Sequence, residues 1–191
     1  MARDGKKTMA KGGVAVRLLG GLWGCVLLSG VSAYAASSLP NGASSLRERY
    51  QDWDVACLAP DDGAGGDGHV QCAMQQQALE PRSHRRVMSI RLETDGTQVR
   101  GVATVPFGLD LVRGLTLTNA SQPVGDVYSF STCLPAGCLV PLSFDDQQWA
   151  SLLKEPKAVF TAMTFSGKPM KLFFSTKGLD QALQRVRSLT Q

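Results

Sequence analysis

The residues with the clearest chemical potential are cysteines. The sequence holds five, and two of them, Cys133 and Cys138, enclose the tetrapeptide Leu-Pro-Ala-Gly. Two thiols this close can form a disulfide, bind a metal or exchange with other thiols. Redox-active pairs more often have two intervening residues, and zinc knuckles occur as paired short Cys motifs. The wider spacing around Pro135 and Gly137 therefore favours a structural disulfide, with a redox-active pair as the alternative.

The remaining cysteines are consistent with a second disulfide. Cys25 lies in a segment that we expect to be removed, which leaves an even four. Complete pairing is the rule for even counts in an oxidising compartment, and four cysteines allow three pairings. We favour Cys57 with Cys72 and Cys133 with Cys138, because each pair bounds a local loop.

No catalytic group stands out among the other reactive residues. The chain has two histidines, His69 and His84, and no Gly-x-Ser-x-Gly motif surrounds a serine. Acidic residues in the glycine-rich tract 61–68 could attract calcium, but they lack the EF-hand order. We predict no catalytic, cofactor-binding or metal site and no enzymatic activity. A small hydrolase that uses His69 or His84 is a further alternative.

The N-terminal segment has the organisation of a secretory signal peptide. Basic residues up to Arg17 precede an apolar run of about 14 residues, 18–31, and small residues follow at Ala33 and Ala35. A membrane-spanning helix needs about 20 apolar residues. We predict a signal peptide at 1–35 and no transmembrane segment after cleavage. Lipidation at Cys25 and a start at Met9 stay open.

The predicted mature chain is electrically neutral. The full sequence has 20 basic and 16 acidic residues, of which residues 1–35 hold five and one, so residues 36–191 carry 15 of each. Without a basic surface, nucleic acid is not expected as a partner. The densest basic cluster is Arg82, Arg85 and Arg86. This loop and the one that ends at His69 are the candidate interaction surfaces.

Alternating apolar residues predict a mainly β domain over residues 50–191, preceded by an exposed leader at 36–49. Eight or nine short strands are expected, including one at 124–130, and a hairpin turn at Asp95-Gly96. A short helix should begin at Asp145-Asp146, and a second, amphipathic helix should close the chain. The pattern is that of a β-sandwich with two peripheral helices.

Four sequence segments together resemble the invasion-associated locus B (IalB) family of bacterial envelope proteins. They are Asp52-Trp53-x-Val55-x-Cys57, Cys72, Pro106-Phe107-Gly108-Leu109-x-Leu111-x-x-Gly114, and Cys133-Leu134-Pro135-Ala136-Gly137-Cys138. The resemblance extends over about residues 40–190, and the last segment is its most specific part.

The resemblance implies an immunoglobulin-like β-sandwich that is stapled by disulfides and has no catalytic residues to transfer. It implies a periplasmic location, with outer-membrane association or secretion left open. We therefore expect a non-enzymatic envelope protein, an interaction or envelope-maintenance module whose partner is an unknown envelope or host protein. A virulence-associated role in invasion is expected only if the source is a pathogen. The alternative is a periplasmic thiol-disulfide redox protein that uses Cys133 and Cys138.

Overall fold

The computed structural model describes residues 39–60, 68–94 and 98–190. Most of them lie in strands: β1 (Ser45–Tyr50), β2 (Trp53–Leu58), β3 (Gln71–Leu79), β4 (Arg86–Thr94), β5 (Val99–Val105), β6 (Leu115–Asn119), β7 (Gln122–Pro123), β8 (Thr132–Leu134), β9 (Gly137–Phe144), β10 (Lys157–Met163) and β11 (Pro169–Ser175). Two helices complete the fold, α1 (Asp146–Leu152) and α2 (Leu179–Thr190), after a 3-10 turn at Pro40–Gly42. The predicted signal peptide, the acidic tract 61–67 and the Asp95-Gly96 turn lie outside the described residues.

The strands form two antiparallel sheets. The larger sheet has seven strands in the order β1-β2-β3-β4-β5-β9-β8, and the smaller has four in the order β11-β10-β6-β7. Consecutive strands from β1 to β5 are neighbours, so this part of the larger sheet is a meander. The mainly β fold with two short helices and two disulfides is as predicted.

Period-two alternation produces this fold because successive side chains in a strand point to opposite faces of the sheet. In β2, Trp53, Val55 and Cys57 are buried while Asp54 and Ala56 lie between them on the outer face. The apolar faces of both sheets and of α2 meet in one continuous core. Helix α2 contributes its apolar stripe to that core, namely Leu179, Ala182, Leu183, Val186 and Leu189.

Two buried polar side chains join the sheets where β11 ends. The Trp53 indole Nε1 donates to the Ser175 carbonyl oxygen at 2.9 Å. The Gln76 side-chain oxygen accepts from the Ser175 backbone N–H at 2.8 Å, and its amide nitrogen donates to the Asp52 carbonyl oxygen at 2.9 Å. These bonds satisfy backbone groups of the outermost strand of the smaller sheet.

The segment predicted to be an exposed leader contains an additional strand. β1 pairs along its whole length with β2, and its alternate residues are half-buried. The Arg185 guanidinium of α2 binds the Glu48 carboxylate through two hydrogen bonds of 2.7 Å. Leu39, just before β1, is itself buried. The polar appearance of this segment is that of an edge strand with one face in solvent.

The prediction of a strand at residues 124–130 is wrong. Only an isolated bridge between Leu115 and Tyr128 remains there. Gly125 has a φ of +73°, and the Tyr128 hydroxyl donates to the Val124 carbonyl oxygen at 3.0 Å, so the chain turns back on itself. Eleven strands are present in the described residues rather than eight or nine, because β1 and the very short β7 and β8 have no long apolar pattern.

Helix α1 begins where the acidic pair predicts it. The Asp145 carboxylate accepts from the Gln148 backbone N–H at 2.7 Å, and the Gln148 side chain accepts from the Asp145 backbone N–H at 3.1 Å. This is a capping box, which satisfies two backbone donors at the helix start. Trp149 and Leu152 then turn into the core.

Candidate functional site

The loop between β5 and β6, residues 106–114, docks against the turn between β10 and β11. The Phe165 backbone N–H donates to the Gly108 carbonyl oxygen at 2.9 Å, and the Asp110 N–H donates to the Met163 carbonyl oxygen at 2.8 Å. The turn is itself fixed, because the Thr164 hydroxyl donates to the Lys168 carbonyl oxygen at 2.9 Å. The loop that crosses from the larger to the smaller sheet is thereby held against a hairpin turn of the smaller sheet.

The hairpin of β8 and β9 lies at the same end of the molecule. Cys133 and Cys138 are directly opposite each other and form a disulfide. Gly137 has a φ of +136°, and a Cβ there would lie 2.5 Å from the Val105 carbonyl oxygen. Only glycine allows this close approach of the hairpin to β5. Cys138 is buried, whereas Cys133 and Leu134 are exposed.

The basic loop between β3 and β4, residues 80–86, completes this surface. Its backbone is closed by bonds from the Glu80 N–H to the Arg85 carbonyl oxygen and from the His84 N–H to the Glu80 carbonyl oxygen, both 2.9 Å. Arg85 and Arg86 line a cleft of about 220 Å³ together with Phe107, Ala136 and Gly137. We call the surface formed by residues 80–86, 106–114, 134–136 and 164–168 the loop end.

Apolar side chains project from the loop end into solvent. Val112 is 97% exposed and Phe165 is 90% exposed. Phe107, Leu111 and Leu134 are also exposed. Single exposed apolar residues are normal on a protein surface, but a cluster of them indicates an interaction site. Here five come from three neighbouring loops.

The loop end is also basic. It holds Arg82, Arg85, Arg86, Arg113 and Lys168 against Glu80 and Asp110, a net charge of +3. Asp110 is within 3.1 Å of Arg113 and also accepts from the Val112 backbone N–H at 3.2 Å. Glu80 accepts from the Ser83 hydroxyl. The two carboxylates thus stabilise their own loops.

The structure does not bring the sequence-predicted interaction residues together. Arg82, Arg85 and Arg86 belong to the loop end, whereas His69 precedes β3 and lies beside Arg91 and Glu93. The nine residues of β3 separate the two surfaces by about 30 Å at the usual rise per residue. His69 and His84 therefore lie on separate surfaces and do not share one site.

The clearly shifted ionisable groups serve the scaffold. A hydrogen bond from Arg185 lowers the pKa of Glu48, and the Tyr50 hydroxyl adds to this, while burial opposes it. Burial raises the pKa of Tyr128 to about 12, with smaller contributions from Asp126 and Asp145. Among residues 39–60, 68–94 and 98–190, no group of three metal-ligating side chains is present. Neither helix in these ranges is long and apolar enough to cross a bilayer.

Known proteins are similar to this chain in both sequence and fold. The model of the invasion associated locus B (IalB) protein family matches residues 53–187. The chain belongs to the IalB family. An Invasion protein B homolog of Brucella abortus is 40% identical over 166 residues, which cover 86% of this chain and 91% of the relative. Invasion protein B of Bartonella bacilliformis is 34% identical over 160 residues, 81% of this chain and 82% of the relative.

A crystal structure extends the match to three dimensions. Invasion associated protein B from Bartonella henselae superposes with a TM-score of 0.67 at 27% identity, covering 75% of this chain and 96% of that one. Two of the four segments that carry the sequence resemblance, 106–114 and 133–138, meet at the loop end of the present structure.

Sequence reasoning missed the apolar half of the loop end. Phe107 precedes a glycine and follows a proline, and Phe165 precedes Ser166-Gly167. Aromatic residues inside such turn sequences indicate exposed apolar side chains, because turns run over the surface. The meeting of three distant loops could not be read from the sequence.

Proposed function

We propose that this IalB-family protein is an exported, non-enzymatic binding module of the bacterial envelope that engages its partner through the loop end. The observation that carries the proposal is the convergence of two of the four resemblance segments, 106–114 and 133–138, on one surface that leaves apolar and basic side chains exposed. A segment needed only for folding would direct its large apolar residues into the core.

Two disulfides support export, as does the predicted signal peptide. Cys57 with Cys72 and Cys133 with Cys138 form disulfides, which are typical of the periplasm and extracellular space. The names of the Brucella and Bartonella relatives associate them with invasion. For this chain, a role in host-cell entry is proposed only where the source bacterium is a pathogen.

In-cell photo-crosslinking tests the binding surface even while the partner is unidentified. A photoreactive amino acid replaces Phe107 or Phe165 at the loop end, or Leu58, an apolar residue elsewhere whose exposure is similar to that of Phe107. We expect adducts from the first two positions and little from Leu58. Comparable adducts from all three positions, or adducts from Leu58 alone, would contradict the proposal.

A redox function of Cys133 and Cys138 is the second candidate, favoured by one observation. Cys133 is exposed, and Arg85 and Arg86 border the cleft that reaches Ala136 and Gly137. Basic neighbours favour a thiolate. A measured reduction potential decides: a value below about −300 mV identifies a structural disulfide, and one above about −230 mV supports exchange chemistry.

A further inference from the structure

The loop end has the shape and charge of a surface that binds membranes peripherally. We propose that it docks on a bilayer containing anionic phospholipid, with the exposed apolar side chains entering the headgroup region and the arginines contacting phosphates. The inference rests on the proposed function, because it assigns a partner to the same surface.

The shape of the loop end favours a fluid partner. Val112 and Phe165, 97% and 90% exposed, stand at the tips of different loops. Phe107 borders the small cleft near Arg86, and Leu134 lies in the hairpin opposite Gly137, which borders the same cleft. A rigid protein partner would need a matching cavity for each tip. Lipid headgroups and acyl chains rearrange around separate protrusions, and apolar side chains are stabilised at that depth.

The charge of the loop end selects an anionic bilayer. Residues 36–191 carry equal numbers of basic and acidic residues, yet the loop end alone has a net charge of +3. Within the part of the chain that the structure describes, neither Glu80 nor Asp110 forms an ion pair with Arg85 or Arg86. These guanidiniums stay available for phosphate oxygens, which they bind in a bidentate geometry. Attraction to an anionic surface increases with each such residue near it.

Vesicle sedimentation with the full protein purified from its native envelope tests the inference. The probes are vesicles of phosphatidylcholine alone and vesicles with about one-quarter phosphatidylglycerol, an anionic lipid. We expect at least about 10-fold tighter binding to the anionic vesicles, and a loss of that preference in high salt.

Two loop-end variants separate the apolar and the electrostatic contributions. Phe107→Ser/Phe165→Ser and Arg85→Glu/Arg86→Glu should each weaken binding to anionic vesicles by about 10-fold or more. Matched controls make two apolar-to-serine or two basic-to-glutamate changes elsewhere on the surface: Leu58→Ser/Phe173→Ser and Arg47→Glu/Lys177→Glu. All eight positions are exposed, so the fold should persist in every variant, as circular dichroism will show. The controls should change binding less than about 2-fold.

Failure of the inference is distinguishable from failure of the proposed function. Equal binding to both vesicle types, absence of binding, or equal losses in loop-end and control variants overturns the membrane assignment. If Phe107 still crosslinks to a protein in cells, the loop end binds a protein instead and the proposed function stands. If neither vesicles nor crosslinks involve the loop end, both are wrong.

Discussion

At the scale of single residues, Asn119 shows how one buried amide organises a connection. It ends β6, is 2% exposed, and lies beneath the segment that joins α1 to β10. Its side-chain nitrogen donates to the Leu152 and Glu155 carbonyl oxygens at 2.9 and 3.0 Å, and its oxygen accepts from the Glu155 N–H at 3.0 Å. The hydrogen bonds of this one amide thereby take the place of the backbone hydrogen bonds that a regular turn would provide.

Asn119→Ala should lower the free energy of unfolding by about 2–3 kcal/mol, because it leaves several buried backbone groups without partners. Urea denaturation measures the change. Gln147→Ala is the control, since Gln147 is exposed on α1, and it should cost less than about 0.5 kcal/mol. Equal effects of the two substitutions would show that Asn119 does not organise the connection.

Glu48 provides a pH-dependent attachment of α2 to β1. Because its pKa is lowered in the folded protein by Arg185, its contribution to stability is present above the unfolded-state pKa and is lost as the pH falls through the folded-state pKa. Glu48→Gln should cost about 1 kcal/mol at neutral pH. The difference in stability between wild type and variant should become smaller below about pH 4.5.

Thermal melts of both proteins across the acidic pH range measure that difference in stability. Glu93→Gln is the matched control: Glu93 pairs with Arg91 at 2.8 Å, but both side chains are more than half exposed. Exposed pairs contribute little. A gap that persists unchanged at low pH would mean that the Glu48 charge is not what stabilises the contact.

These two residues also show where sequence reasoning ends. Asn119 before Ala-Ser-Gln-Pro is typical of a turn, and nothing in that pattern indicates a buried amide. Its partners lie more than 30 positions further along the chain. Glu48 falls in the segment that the sequence predicts to be an exposed leader. No local pattern marks a side chain whose role is decided by groups that are distant in the sequence.

At the scale of elements, the two disulfides close loops of different size. Cys57 and Cys72 are 15 residues apart, and Cys133 and Cys138 are five apart. The chain-entropy model assigns about 3 kcal/mol to the first and about 2 kcal/mol to the second. Cys57→Ala/Cys72→Ala should therefore destabilise the protein more than Cys133→Ala/Cys138→Ala, by about 1 kcal/mol. Chemical denaturation of both double variants checks the order, and the reverse order would contradict the entropic account.

The β8–β9 hairpin depends on a glycine that contacts β5. Gly137→Ala should cost at least about 3 kcal/mol, since it combines an unfavourable φ with a collision against the Val105 carbonyl oxygen. Gly108→Ala is the control: its φ is +84°, but a Cβ there meets nothing within 4 Å. It should cost only about 1 kcal/mol. Melting temperatures compare the two, and similar losses would show that contact with β5 is unimportant.

Elements with strong periodicity are predictable from the sequence, and those without it are not. The alternation of Met88, Ile90 and Leu92 predicts β4, and the apolar stripe from Leu179 to Leu189 predicts α2. β1 is not predicted, because an edge strand with many polar residues shows only a weak alternation of apolar and polar positions. The segment after Val124 resembles a strand in sequence, but its apolar residues serve a turn and a tyrosine contact instead.

At the scale of the whole molecule, the fold concentrates two properties that the sequence disperses. Basic residues and exposed apolar residues from four separate segments meet at the loop end, while the remainder of residues 36–191 has a compensating excess of acidic charge. The basic loop at residues 80–86 can be identified from its sequence, because its arginines are close together. Its partners in the surface depend on how the two sheets are joined, which periodicity does not specify.

Hydrogen–deuterium exchange of the protein with and without its native envelope membranes tests most directly whether it binds through its loop end. We predict slower exchange in peptides covering residues 80–86, 106–114 and 164–168, and unchanged exchange in β1 and β2. Protection confined to β1 and β2, or to the surface around His69, would contradict the central claim that the loop end is the binding surface.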